Sequence, residues 1–468
     1  MASLVIRTGR ADLAFDGIRT EFGLRSSFPA EVLAEAEAAV SRSAGDRPDL
    51  TSIPLVTIDP PGAKDLDQAL CLERTSSGFV VHYAIADLGL FVTPGGALDA
   101  EVRQRGQTIY LPDGNVPLHP TVLSEGAASL LPGVVRPAVL WTFTCSAEGV
   151  PTAVEVRRAL VRSQAQFDYA QVQETFDAGN PHPSVAALAE FGPLRRALAR
   201  ERGAIELQLP EQEIESNGDG WKLVVRPRAA VDSWNAEISL MTGMAAASIM
   251  LKARAGILRT LPNPDAEAVK TLRKSAAALK VPWPAEVSPG AFLAGLDASK
   301  PESLALFTDA TRLLRGAGYT AFNGSVPEVT THAGVAAPYT HVTAPLRRLV
   351  DRFATEVCLA VSAGEELPSW LAEALPLLPS LMGASDSLAS KVERASLDLV
   401  EAWVLAGRVG QEFDAVVLRS GENEAEVFIS NPPVLAKCAG KRLPEAERIR
   451  VRLEEADPVQ RRVRFRAL

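Results

Sequence analysis

Three aspartates fall within nine residues in the run Leu55-Val-Thr-Ile-Asp59-Pro-Pro-Gly-Ala-Lys-Asp65-Leu-Asp67-Gln68. An apolar, β-branched stretch comes directly before them. It reads as a strand, and the Pro-Pro-Gly that follows reads as a turn, so the carboxylates belong to a loop leaving a strand end. Asp65 and Asp67 are two apart and share a face in extended structure. A loop folding back over the strand end brings Asp59 toward them. Like charges this close repel, so bringing them together is costly without a cation. Oxygen-rich acidic clusters suit Mg²⁺, which commonly serves phosphoryl chemistry. The spacing is not that of an EF-hand loop, and neither a Walker A loop nor GxSxG occurs. Turn formation and capping are the competing use of an Asp-rich loop.

The chain has 468 residues, enough for two or three domains, with 47% hydrophobic and 22% charged residues, as in soluble globular proteins. No apolar run reaches the ~18 residues of a membrane span, and the first residues lack the apolar core of a secretory signal. Four cysteines (Cys71, Cys145, Cys358, Cys438) lie far apart, which fits reduced thiols in the cytoplasm and argues against a cysteine zinc site. Histidine is scarce, with no HxxxH or HxH, so a metal here should be a hard, oxygen-bound one. The net charge of −9 is no fingerprint of nucleic-acid binding. Residues 437–468 differ, with ten Lys or Arg against five acids. Such a basic tail is either a polyanion-binding surface or a solvated strand face.

Residues 1–50 read as a small helical segment, with helices over about 11–22 and 31–42 that could form a helix-turn-helix. From 52 to 160 the pattern is strand-like, with strands at 55–59, 69–73, 79–86 and 139–146. Residues 165–205 look helical. Segments 205–209 and 221–226 flank Asn217-Gly218-Asp219-Gly220, a hairpin signal. Helices are expected over 234–255, 265–280, 302–316, 345–362 and 384–407. Beyond Gly410, short strands at 413–418, 424–429, 449–453 and 461–466 fit a small OB-type barrel. Such barrels often bind single strands, although only Phe413, Phe428 and Phe465 could stack on bases. The expected fold is α+β: a helical segment (1–50), a mixed α/β domain (51–407) and an OB-type barrel (408–468).

The run Thr57–Ala69 strongly resembles the signature of the RNase II/RNase R family, whose catalytic unit is the RNB domain. Further wording agrees in order and spacing: His82-Tyr-Ala-Ile-Ala-Asp87, Arg105-Gly-Gln-Thr-Ile-Tyr110-Leu-Pro-Asp113, Leu123-Ser-Glu125 with Ser129-Leu130, and Tyr339-Thr-His-Val-Thr-Ala-Pro-Leu-Arg347-Arg348-Leu-Val-Asp351. The resemblance covers roughly residues 20–407, and the family carries an RNA-binding OB domain where this chain has its last strands. It implies a processive, hydrolytic 3′→5′ exoribonuclease that releases nucleoside 5′-monophosphates and leaves a short end-product. Asp59, Asp65 and Asp67, with Gln68 as a further oxygen ligand, would form a Mg²⁺ site that could also take Mn²⁺, Asp67 being the most critical. Tyr110 would stack on the 3′-terminal base, Arg347 would fork onto the scissile phosphate, and Arg348 would touch a neighbouring phosphate or pack. Glu237 would accept from a ribose 2′-OH, its alternative being an ordinary helix-surface acid. Glu393 would lie near the exit and repel the product phosphate. The implied partner is RNA with a single-stranded 3′ end, with no membrane, and the protein a monomer.

Two departures stand out. The family usually has a fourth acid where this chain has Gln68, which implies weaker metal binding or a one-metal site. The family's N-terminal cold-shock domains are not matched by residues 1–50, and its second stacking aromatic is not found around Leu261-Pro262-Asn263. Gln68 leaves a second reading open, a catalytically weakened or inactive RNA-binding protein on the same scaffold. Without the resemblance, the residues fit a metal-dependent phosphatase or nucleotidyl enzyme.

Overall fold

The computed structural model describes residues 15–207, 212–216, 221–225, 229–298 and 300–468. Two short helices lead, α1 (Asp16–Glu21) and α2 (Ala30–Val40). They do not form the expected helix-turn-helix, because their apolar faces enter different cores. Ile18 of α1 packs with the C-terminal strands, whereas Val32, Ala36 and Ala39 of α2 pack in the main core.

The strand-like stretch builds a closed barrel. In chain order come β1 (Leu55–Ile58), β2 (Gln68–Thr75), β3 (Gly78–Ala86), a small hairpin of β4 (Ile109–Leu111) and β5 (Gly114–Val116), then β6 (Val135–Ser146) and β7 (Pro151–Phe167). The barrel order is β1-β2-β3-β6-β7, antiparallel until β7 returns parallel to β1 and closes the ring. Closure leaves no free edge. Helix α3 (Ala97–Arg105) precedes the β4–β5 hairpin, and α4 (Tyr169–Asp177) and α5 (Leu188–Arg202) follow the barrel.

The second hairpin is real but shifted. Strand β8 is Gln212–Ser216 rather than 205–209, and it pairs with β9 (Trp221–Val225). The turn at 217–220 lies outside the described residues. Ile205 and Leu207 alternate for another reason: both pack into a helical core with Leu272, Phe292 and Phe307. Those residues sit on α7 (Ala266–Ala278), α8 (Pro289–Ala294) and α9 (Pro301–Ala310), which follow the long α6 (Ala230–Ala253). Strand β10 (Ala255–Thr260) pairs with β11 (Gly318–Asn323), and β12 (Thr331–His332) with β13 (Ala337–Pro338). Helices α10 (Leu349–Ala363), α11 (Ser369–Ala374) and α12 (Leu378–Leu405) complete the body. α12 starts six residues before its expected place because Pro379 sits in its first turn, where a missing N–H costs nothing.

The last strands form a second closed barrel, β14 (Glu412–Ser420), β15 (Glu424–Ser430), β16 (Pro433–Ala439), β17 (Arg448–Asp457) and β18 (Arg462–Ala467), in the order 14-15-16-18-17. β16 escapes sequence reading because it opens at Pro433, right after Pro432; proline is tolerated as the first residue of a strand. The three phenylalanines are no stacking platform. Phe413 and Phe465 meet edge to face inside the barrel, and Phe428 packs with Val416 and Leu418 against Leu304 of α9. The basic tail is also largely neutralised. Arg450 and Arg452 pair with Glu412, Lys437 with Glu424, Arg462 with Glu455, and Arg466 with Glu454. These pairs are solvent-exposed, as a solvated strand face would be, and they leave the guanidinium groups within reach of a polyanion. No helix among the described residues is long and apolar enough to cross a membrane, and all four cysteines are free and buried.

Candidate functional site

The carboxylates lie where β1 hands over to β2. Pro60-Pro61-Gly62-Ala63 is a hydrogen-bonded turn, Ala63 N–H to Pro60 O at 3.1 Å, with Gly62 at φ 79°. This is a type II pattern, proline second and a positive-φ glycine third. The rest of the loop is tied from outside. Ser129 donates to Lys64 O (2.6 Å) and accepts from Leu66 N–H (3.0 Å), and Gln166 donates to Ala63 O (2.8 Å). The Ser129-Leu130 motif therefore has a physical role: it sets the path of the acidic loop.

Asp67 is buried and faces a second loop. Its Oδ1 accepts from Leu346 N–H at 2.7 Å, and its Oδ2 lies 3.4 Å from Arg347 Nε. Burial raises its pKa well above the ordinary carboxylate value, against the pull of Arg347 and the Leu346 amide. Burial likewise pushes Asp59 up to about 6, and Asp59 Oδ2 is buried without a hydrogen-bond partner. Asp65 accepts from Tyr110 Oη at 3.3 Å. The three carboxylates thus share one region and feel one another. Among the described residues, however, no three His, Cys, Asp or Glu side chains are close enough together to hold a metal ion. Arg347 and Tyr110 stand on two of the three instead.

Gln68, expected as a further oxygen ligand, is anchored through its amide nitrogen, a contact that does not use Oε1. Its Nε2 donates to Thr343 O at 2.5 Å. A carbonyl can only accept, so this contact needs the amide nitrogen, which a carboxylate could not supply. Gln68 therefore joins the clamps on the arginine loop. Ala344 N–H donates to Asp351 (2.8 Å), Leu346 O accepts from His119 Nδ1 (3.0 Å), and Thr108 N–H donates to Arg347 O (2.9 Å). Gln68→Leu should lower stability by about 1 kcal/mol by removing a donor from Thr343 O. Urea denaturation checks this, and an unchanged midpoint would show the bond contributes nothing.

His119 was not singled out by sequence, since a lone histidine before a proline carries no pattern. Burial lowers its pKa to about 4 and keeps it neutral. The unfolded chain binds that proton at about pH 6.5, so His119 costs stability as pH falls from about 6.5 to about 4, by about 3 kcal/mol in full. The buried Asp59 and Asp67 act oppositely, gaining stability as they take up protons. The comparison of wild type with His119→Gln isolates the histidine: the stability gap between the two should shrink from pH 7 to pH 4.5 in urea titrations. A constant gap would contradict a neutral buried His119.

A cavity of about 330 Å³ opens beside the carboxylates, lined by Gln107, Thr108, Tyr110, Arg347, Arg348, Ala389 and Glu393. Tyr110 is half-exposed because its strand neighbours Ile109 and Leu111 point inward. Arg347 is half-exposed at its side chain, with its guanidinium toward the cavity wall and Asp67. Arg348 is committed to Asp351 by a fork, Nε to Oδ2 at 2.5 Å and Nη2 to Oδ1 at 2.8 Å. It lines the cavity but packs rather than offering a free guanidinium. Glu393, exposed on α12, forms the far wall. Glu237 is not brought to this cavity. It is a buried acid on α6 lining a separate space of about 360 Å³ with Arg196, Arg202 and Asp232. Burial raises its pKa, opposed by Arg195 and Arg202. The helix-surface alternative does not hold, since Glu237 is 7% exposed. Leu261, at the place of the family's second stacking aromatic, is buried.

A closed mixed barrel with an acidic strand-end loop, an arginine loop clamped to it, a tyrosine hairpin and a second, OB-type barrel define a two-barrel α+β protein with a polar cleft of about 330 Å³. The chain belongs to the RNB domain family: the family model matches residues 47–360, and the RNase II-type exonuclease C-terminal S1 domain matches residues 411–468. Ribonuclease R of Chlamydia trachomatis is 27% identical over 421 residues, covering 86% of this chain and 59% of that protein. The chain thus spans less than two thirds of that relative. The apo structure of Mycoplasma genitalium RNase R shares the fold at a TM-score of 0.87 and 19% identity, over 97% of this chain and 77% of that one. Yeast Ssd1, described as a pseudonuclease, shares it at 0.71 and 18%, over 91% and 53%.

Proposed function

We propose that the protein is a Mg²⁺-dependent, processive 3′→5′ exoribonuclease that hydrolyses single-stranded RNA to nucleoside 5′-monophosphates and a short end-product. It would work as a cytoplasmic monomer, with residues 1–50, 51–407 and 408–468 as its units. The observation that carries this reading is the cleft itself, where the Tyr110 ring and the Arg347 guanidinium line a space of about 330 Å³ and contact the loop carboxylates Asp65 and Asp67.

Asp59, Asp65 and Asp67 would hold the ion. The fit rests on donor chemistry: oxygen-only side chains and one buried carboxylate oxygen, Asp59 Oδ2, without a hydrogen-bond partner. When bound, Mg²⁺ supplies a Lewis acid and lowers the pKa of nearby water. Tyr110 would stack on the terminal base, a contact of about 1–3 kcal/mol that tolerates any base. Arg347 would turn its fork from Asp67 to the scissile phosphate and offset charge gathering on its oxygens. Water adds to phosphorus, the bond to the 3′ oxygen breaks, and that oxygen leaves with a proton. Arg348 acts indirectly, holding the arginine loop through Asp351. Glu393 faces the departing monophosphate with like charge. Glu237, set in a cavity bordered by arginines, would meet a ribose hydroxyl only if the strand runs past that second space.

The test is digestion of a 5′-labelled single-stranded RNA with Mg²⁺, beside DNA of the same sequence. Loss of full-length RNA to a short labelled end-product with few intermediates, absent on DNA, is expected. Intact RNA in Mg²⁺ and Mn²⁺ with binding retained would instead make the protein an RNA-binding member of the fold.

A further inference from the structure

The β4–β5 hairpin that carries Tyr110 has three residues on each strand, joined by Pro112 and Asp113. A two-stranded hairpin is marginally stable on its own, and one this short must be held from outside. Helix α1 holds it. Arg19 forks onto Asp113, Nη2 to Oδ1 at 2.7 Å and Nη1 to Oδ2 at 2.8 Å. The side chains are 19% and 29% exposed, so the pair is partly shielded from water. Beneath it, Phe15 and Ile18 share a core with Ile109, Leu111 and Val116. Burying Ile109 and Leu111 on that side turns Tyr110, which alternates with them, outward to the carboxylates. The helix is itself anchored: Glu21 pairs with Arg461 of the second barrel, and Phe15 meets Trp221 of β9 edge to face at 5.3 Å.

We propose that Arg19 and Asp113 are positioning residues: through their fork the N-terminal helix fixes the hairpin that presents Tyr110, and so sets how firmly the 3′-terminal base is held. The inference rests on the stacking role given to Tyr110 above. Bidentate guanidinium–carboxylate pairs fix orientation as well as distance, which a lysine at this position could not reproduce. Without the fork the hairpin keeps its apolar underside but loses the tie at its tip, so Tyr110 samples more positions.

Two readouts test this. The first needs no RNA: hydrogen exchange of the 109–116 amides in Arg19→Ala, expected roughly 5-fold or more faster than in the wild type as local opening becomes easier. The second is RNA with a 3′-terminal 2-aminopurine, titrated without divalent ions. Wild type should quench its fluorescence by stacking, Tyr110→Ala should not, and Arg19→Ala should show partial quenching with roughly 3–10-fold weaker binding. Adding Arg19→Ala to Tyr110→Ala should cost nothing further. The swapped pair Arg19→Asp with Asp113→Arg should recover part of both signals. Unchanged exchange in Arg19→Ala overturns the clamp. Faster exchange with undiminished quenching overturns its link to the base, as does an equal loss in the Tyr110→Ala background. If wild type and Tyr110→Ala quench alike, the stacking role of Tyr110 fails and the proposal with it, while the exchange arm still tells that failure from a missing clamp.

Discussion

Asp67→Asn should reduce RNA hydrolysis by roughly 10³-fold while leaving the protein folded. The amide is nearly isosteric, and its oxygen can still accept from Leu346 N–H, the contact that seats Asp67 against the arginine loop at 2.7 Å. What disappears is the charge. Asp67 is the most buried of the three aspartates and the one facing Arg347. A divalent ion stabilises transition-state charge by several kcal/mol, and each 1.36 kcal/mol is a factor of ten in rate. A ligand set reduced by one buried charge should forfeit most of that. Removing the charge also removes its desolvation cost, so the variant should be no less stable at neutral pH, and thermal melting without metal should show an equal or higher midpoint. Single-turnover digestion of labelled RNA reads the rate. A loss under tenfold, with Mg²⁺ affinity unchanged, would place the critical ligand elsewhere.

The parts of this molecule legible in its sequence are those governed by local rules. The acidic loop announced itself because a β-branched run, a Pro-Pro-Gly turn and alternating aspartates follow one another directly. The long helices could be read from composition, and α12 was misjudged only at its start, where prolines at 376 and 379 look like breakers but occupy first-turn positions. What could not be read depends on partners distant in the chain. A count over 437–468 overstates the basic excess because Glu412 and Glu424, which pair with part of it, come from strands outside that window. Glu237 looked like a helix-surface acid or a ribose contact; its environment is set by Arg195 and Arg202 of α5. Nothing near Gln68 in sequence shows that its amide nitrogen meets the carbonyl at residue 343. The clamp on the arginine loop gathers residues 68, 108, 119 and 351 at one place, and only the fold brings them there.

Arg347→Ala should lower kcat on RNA by roughly 10²–10³-fold, the usual cost of losing one donor aimed at developing charge. Arg347→Lys should recover only part of it. A lysine keeps the charge but is a compact point donor, while a guanidinium presents a planar fork matched to two phosphate oxygens. The clamps on the loop make this a clean substitution. Its backbone is held by Thr108 N–H on the 347 carbonyl and by Asp67 and His119 on Leu346, none of which uses the Arg347 side chain. The loop should therefore keep its path in the alanine variant, and RNA affinity measured without metal should fall much less than kcat, since the stacking proposed for Tyr110 does not depend on the Arg347 side chain. Truncation has a second consequence. Arg347 lowers the pKa of Asp67 and of Asp59, both raised by burial. Without it, both carboxyl groups hold protons to higher pH, and a divalent ion must displace those protons to bind. Mg²⁺ affinity of Arg347→Ala should accordingly be weaker at pH 6 than at pH 8 by a larger factor than in the wild type. Mn²⁺ binding followed by electron paramagnetic resonance at both pH values checks this without any reaction. An arginine that acted only on phosphate would lower kcat and leave that pH dependence unmoved. An arginine that only neutralised the aspartates would shift the metal affinity and be fully replaced by lysine.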